Sequence, residues 1–273
     1  MDKAELRKRE LKNIEEFRMM DDTFFAAVFD SRIEETQVLI RTILNRDDIT
    51  VIKSEAQKDI PNSSGHSVRL DVLARDEKGN VYNFEVQRGN AGATPKRARY
   101  YGASVDTTLL EKGEDYKNLH ERYTIFITET DYFGKMEPVY HAQNTIKELD
   151  NAPLGDGSYI LYVNGEYRNT ETPLGRLMHD FSCKKASDII NPVLRERVGY
   201  LKGEEGEDES MCKLMDDLIK DVVKDEVRDD RLETAKKLIA LGDSSLDNIA
   251  KVLDLPLSTV EELASSMQKK AGA

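Results

Sequence analysis

With 273 residues, 39% of them hydrophobic, the chain has material for one sizeable core and a smaller appendage, but no apolar run of the roughly 20 residues that a membrane-spanning helix needs. Its start, MDKAELRKRELKNIEEF, alternates charges where a secretory signal would be apolar, and Cys183 and Cys212 lack the spacing of a zinc cluster or disulfide framework, so a reduced, cytoplasmic protein without a membrane partner is expected. A formal net charge of -12 argues against indiscriminate nucleic-acid binding, which needs positive surface against phosphate.

After a charged first helix, DDTFFAAVF leads to Ser31. SRIE has the form of a capping box, with Ser31 as N-cap and Glu34 at N3, and predicts a helix over 32–44 whose Ile33, Ile40, Ile43 and Leu44 share a face. ITVIKS at 49–54 is short and β-branched like a strand, and PNSSG at 61–65 marks a loop. Strands follow over 68–75 and 80–87. If Glu77, Lys78 and Gly79 form the loop between them, Gly79 fits the left-handed position that closes a type I turn plus G1 bulge. That loop pairs Asp76 with Asn80 and, further along the strands, Asp71 with Glu85 on one face. A two-residue loop would put the two acids on opposite faces.

Thr94-Pro95 reads as N-cap and first residue of a helix that should stop near Gly113. YTIFIT at 123–128 and SYILYVN at 158–164 are strands, and 173–181 is a helix. This order predicts an α/β fold with a mixed central sheet flanked by helices. Further on, 203–209 reads as an acidic linker, 211–241 as one long helix or two, and 245–252 and 258–267 as a helical pair with a turn at 254–256. The organisation expected is a main domain over 1–202, an acidic linker and helix over 203–232 and a small C-terminal helical extension over 233–273.

In VYNFEVQ, alternation puts Val81, Asn83, Glu85 and Gln87 on one side and Tyr82, Phe84 and Val86 towards a core. With Asp71 from the partner strand, two carboxylates and an amide converge. Like charges opposed across a sheet need a counter-charge, and hard oxygen ligands suit Mg²⁺, which can activate water and neutralise charge on a phosphoryl oxygen. Spacing alone favours a solvent-facing pair. Beside these acids, Arg88, Lys96, Arg97 and Arg99 form a stripe over 86–105 that contains no acidic residue. Cations at a helix N-terminus ask for a partner such as phosphate, so Lys96, Arg97 and Arg99 are read as DNA contacts. Tyr100 and Tyr101 fit core packing more readily than DNA packing. The four histidines lack HxxxH or HExxH spacing, and no P-loop or GxGxxG occurs, so neither a histidine metal site nor a nucleotide cofactor is expected.

An Asp on the second core strand (SVRLDV), E-x-Q on the third (NFEVQ), a helix with KRARYY, then LEKGEDY and the strand YTIFI together resemble the PD-(D/E)XK nuclease family transposases, the recombination-promoting nucleases among them. The resemblance implies a restriction-endonuclease-like core, DNA as partner, phosphodiester hydrolysis in transposition or recombination, and Mg²⁺ or Mn²⁺ as cofactor. It also implies Asp71 and Glu85 as metal ligands and, with Gln87, as catalytic residues, with Arg88 joining the DNA-binding stripe. Leu70 replaces the eponymous proline. Gln87 replaces the lysine, and it can orient water but carries no charge; related transposase-like proteins commonly have glutamine there. Lys53, Lys96 or Arg97 could restore the charge. Glu35 is a further candidate metal ligand on the first long helix, whereas the capping box explains Glu34. The rival is a DNA-binding or interaction protein that keeps the fold without turnover. The tail LETAKKLIALGDSSLDNIAKVLDLPLSTVEEL resembles a helix-turn-helix-like segment whose second helix, after Ser258, would read DNA. Lacking a basic footprint, it fits a homo-oligomer contact or packing role equally.

Overall fold

The computed structural model describes residues 15–61, 67–89, 92–203, 231–241, 244–257, 259–261 and 263–264. Its first described helix of more than one turn, α1 (Asp22–Phe29), buries every residue after Asp22. An all-apolar helix of this kind belongs inside the fold, and its end is tied down there. Arg197 donates to Ala27 O at 2.6 Å and Val28 O at 3.4 Å, and Ser54 Oγ donates to Phe29 O at 2.8 Å. Helix α2 (Ile33–Leu44) ends on Asn45 at φ 50°, a left-handed cap that asparagine tolerates. The expected capping box does not form. The N-cap is Arg32, with no side-chain cap bond, and Ser31 stands at φ 56°. In that conformation Ser31 N donates to Ser54 O at 3.2 Å, so pairing with the next strand outcompetes the local cap.

Six strands make the main sheet, in the order β1 (Val51–Ile60), β2 (Val68–Asp76), β3 (Val81–Gln87), β4 (Arg122–Thr128), β8 (Ser158–Asn164) and β5 (Val139–Gln143). The first three are antiparallel, β3, β4 and β8 run parallel, and β5 returns antiparallel to β8. The mixed α/β architecture is thus the one the element order implied. RYTIFIT fills central β4 and is buried throughout, as a parallel strand covered on both faces should be. The edge strand β5 and the short ribbon of β6 (Thr145–Ile146) with β7 (Ala152–Pro153) carry no alternating apolar signal. They were not anticipated.

The hairpin between β2 and β3 follows its local chemistry. Gly79 N donates to Asp76 O at 3.0 Å and Asp76 N to Asn80 O at 3.1 Å, with Gly79 at φ 84°, which is the three-residue bulged loop. The Asp76 carboxylate accepts from Asn80 N at 2.9 Å, Asn80 Nδ2 at 3.0 Å and Tyr82 OH at 2.8 Å. Register runs from Arg75↔Val81 to Val72↔Phe84.

Helix α3 (Pro95–Asp106) opens on Thr94, whose Oγ1 accepts from Arg97 N at 3.3 Å. It stops at Asp106 instead of near Gly113. Thr107 and Thr108 turn their hydroxyls back onto Ser104 O and Val105 O, each at 2.7 Å, a local bonding that competes with helix continuation. Helix α4 (Pro173–Ser182) matches the expected position, while α5 (Pro192–Leu201) is additional and carries Arg197.

The chain divides into two compact units, Met1–Lys213 and Leu214–Ala273. In the second, residues 231–241 are helical. Helix α6 (Leu246–Val252) is capped by Ser245, and a core forms around Ala235, Ile249, Ala250 and Val260. Residues 204–209 of the expected acidic linker, residues 211–230, and residues 258, 262 and 265–267 of the expected last helix fall outside the described residues. No described helix is long and apolar enough to cross a membrane.

Candidate active site

The β2–β3 backbone ladder gives way to side chains at Asp71 and Glu85. One step beyond Val72↔Phe84 the two acids stand opposite each other, but Val86 N donates to Asp71 Oδ2 at 2.9 Å and Asp71 N to Glu85 Oε1 at 3.4 Å. From there β2 keeps β1 as its partner (Lys58↔Leu70 to Ile60↔Val68), while β3 keeps β4 (Glu85↔Phe126 to Gln87↔Thr128). The strands part, and the carboxylates sit in the fork, bonding the amides that the ladder no longer uses.

Both faces of β3 are buried up to Val86, because α3 covers the side from which Glu85 projects. The fit is close: a Cβ at Gly102 of α3 would lie 2.0 Å from Arg122 Nη1, and one at Gly92 would lie 1.9 Å from Gln87 Oε1. Glu85 has 0% exposure, and burial drives its carboxyl well above the usual carboxylate range, with Asp71 as the next cause. Burial likewise raises Asp71; the Val86 amide works against this and the charge of Asp22 adds to it. Desolvation and like charge thus act together. Such a pair either keeps protons or calls for a cation.

Arg97 reaches into this centre from α3. Its guanidinium lies 3.5 Å from Glu85 Oε2, donates to Gln87 Oε1 at 3.3 Å and to Gly92 O at 3.0 Å, and stacks 4.7 Å from the Tyr101 ring. Of the basic residues considered as substitutes for the motif lysine, Arg97 is the one brought to the carboxylates. Lys53 pairs with Glu55 at 2.9 Å. Lys96 and Arg99 are exposed and form no hydrogen bond or ion pair among the described residues. Arg88 is bound to Asp21 at 3.0 Å and lies 3.7 Å from Glu129, which also pairs with Arg18 at 2.7 Å. The basic stripe therefore divides: Arg97 turns inward, Arg88 is neutralised, and Lys96 and Arg99 face out. Tyr101 takes its place as the platform for Arg97, while Tyr100 is exposed.

Glu35 is not brought to the pair. It lines a cleft with Arg32, Glu34, Glu196, Arg197 and Tyr200. The helix acid that bears on Asp71 is Asp22, at the start of α1, whose Oδ1 accepts from Thr23 N at 2.8 Å. Sequence reading passed over Asp22 because DTFFAAVF lacks the polar face that marks a helix; the signal available was an acidic pair before an apolar run. Among the described residues a second group of potential ligands is His179, Asp180 and Cys183. There Asp180 already accepts from Ile190 N at 2.7 Å and Asn191 N at 2.9 Å, and burial pushes the Cys183 thiol up to about 11. That arrangement fits a structural cap better than a thiolate metal site.

Residues 19–169, more than half of the chain, match the model of the PD-(D/E)XK nuclease family transposases. The chain belongs to this family. No curated protein and no solved structure matches it. Membership makes the six-stranded mixed sheet with its flanking helices the restriction-endonuclease-like core of a PD-(D/E)XK nuclease, a class that acts on nucleic acids and generally uses divalent metal ions. The donor set of this PD-(D/E)XK chain fits such an ion: two carboxylates of raised proton affinity, one buried and one half-buried, offer hard oxygen ligands in the fork.

Proposed function

We propose that the chain is a divalent-metal-dependent DNA endonuclease, acting in transposition or recombination, in which Asp71 and Glu85 hold Mg²⁺ or Mn²⁺. The observation that carries this reading is the Asp71–Glu85 pair in the strand fork, Glu85 fully buried and Asp71 half-buried, with both carboxyls displaced upward by desolvation. When bound, the ion would activate water and stabilise charge developing on the phosphoryl oxygen. Gln87 projects at the rim of the centre with an amide able to orient water. Its missing charge is supplied by Arg97, which already bridges Glu85 and Gln87 and has donors to spare for a phosphate oxygen. The charge of Asp22 adds to the negative field at Asp71. Lys96 and Arg99, facing outward from the start of α3, are suited to phosphates flanking the scissile bond.

Purified protein with Mg²⁺ or Mn²⁺ is expected to cut plasmid or single-stranded DNA. Asp71→Ala should lower the rate by about 100-fold or more, the scale on which removal of a charge-stabilising group acts. Cleavage by neither metal, or Asp71→Ala cutting like the parent, would sink the proposal. The Arg97–Glu85 contact also supports a second reading, in which an internal cation replaces the metal and the chain binds DNA without cutting it. Arg97→Ala together with a Mn²⁺ titration of the parent separates the two. On the nuclease reading it lowers kcat with little change in DNA affinity; on the binding reading, Mn²⁺ affinity is absent in the parent.

A further inference from the structure

Asn83 lies on β3 two residues before Glu85, on the same face, and its side chain has 0% exposure beneath α3. Among the described residues, neither its amide nitrogen nor its carbonyl oxygen has a hydrogen-bond partner. A primary amide sealed from water with every bond unmade is rare and costly in a folded chain, and an apolar side chain would occupy the position without that cost. The surroundings offer no alternative use. Across the ladder stands Leu73, and beside it on β4 stands Thr124. The Thr124 hydroxyl already accepts from Arg122 at 2.8 Å, and Arg122 is further committed to Asp106 at 2.9 Å and Ser158 at 2.5 Å. Glu85, the one acid of β3, lies two residues along on the same face.

We propose that Asn83 is a positioning residue for the carboxylate centre: its amide is the donor that takes hold of Glu85 once that carboxylate turns from Arg97 to a divalent cation. The inference rests on the metal-binding reading given above. Glu85 has its Oε2 on Arg97 at 3.5 Å and its Oε1 on Asp71 N at 3.4 Å, both long contacts that a small rotation would exchange. A rotation towards Asn83 would let the amide nitrogen donate to a carboxylate oxygen and fix the ligand's orientation, as outer partners do for metal ligands generally.

Asn83→Leu and Asn83→Ala are compared with the parent by Mn²⁺ titration calorimetry and by thermal melting in chelator. Loss of a group that orients a ligand should weaken Mn²⁺ binding ~10–100-fold, while Asn83→Leu melts no lower than the parent because it removes the unsatisfied amide. The cavity variant Asn83→Ala covers the case in which leucine does not fit. Mn²⁺ affinity unchanged in a folded variant overturns the proposal. So does a loss of affinity in both variants that follows a lowered melting temperature in chelator, which would mark Asn83 as a structural strut. If the parent itself binds no Mn²⁺ through Asp71, the metal-binding reading fails and takes this inference with it; unchanged affinity in the variants alone removes only Asn83.

Discussion

Asp71 and Glu85 hold protons more tightly in the folded chain than in the unfolded one, because burial penalises their ionised forms and the two acids repel each other. The linkage sign follows. Below the ordinary carboxylate range both states are protonated and the pair has no effect on stability. As pH rises through that range the unfolded chain releases its protons first, so stability falls progressively and the loss is complete once the raised folded-state values are passed. In chelator, Glu85→Gln should therefore be more stable than the parent at neutral pH, by on the order of 1 kcal/mol or more. The difference should vanish near pH 4, and urea unfolding at pH 4 and pH 7 checks it. A neutral-pH stability equal to or below the parent's would show that the pair is not strained. Arg97 displays the same electrostatics from the other side. An isolated reading of KRAR makes it one more phosphate contact, yet the acids of the fork draw it inward, while Lys96 and Arg99 stay exposed.

Gly79 illustrates how an element places these residues. Its φ of 84° costs an L-residue about 1–2 kcal/mol, and a Cβ there would lie 2.6 Å from the His120 ring. Gly79→Ala should lower stability by at least that backbone amount in urea melts. Deleting Val81, inside β3, is the sharper experiment. It keeps the three-residue loop but moves the rest of β3 one place along the ladder, setting Glu85 opposite Val72 and sending Asp71 and Glu85 to opposite faces. Mn²⁺ affinity and cleavage should both be lost, and a deletion variant that binds Mn²⁺ like the parent would refute the dependence on register. This hairpin could be read in advance because its turn chemistry is local. The start of α2 and the end of α3 could not. At Ser31 a bond to Ser54 on β1 overrides a plausible cap, and at Thr107 and Thr108 two hydroxyls bond carbonyls within the last turn.

At the scale of the whole molecule, Asp22, Asp71, Asn83, Glu85, Gln87 and Arg97 all belong to the unit Met1–Lys213, whereas Leu214–Ala273 has a core of its own. A protein ending at Lys213 should keep Mn²⁺ affinity and DNA cleavage; loss of Mn²⁺ affinity on truncation would assign the C-terminal unit a part in forming the centre. Sequence alone determined the α/β class, the hairpin register and the meeting of Asp71 with Glu85, because strand alternation and a glycine-closed loop are properties of neighbouring residues. What only the tertiary structure decided is the environment of that pair: α3 sealing Glu85 from water, Arg97 turning inward, the charge of Asp22 acting on Asp71 and Asn83 left without a partner among the described residues. Each depends on which face of one element packs on another distant in the chain. Burial sets the electrostatics there, and no local pattern records it.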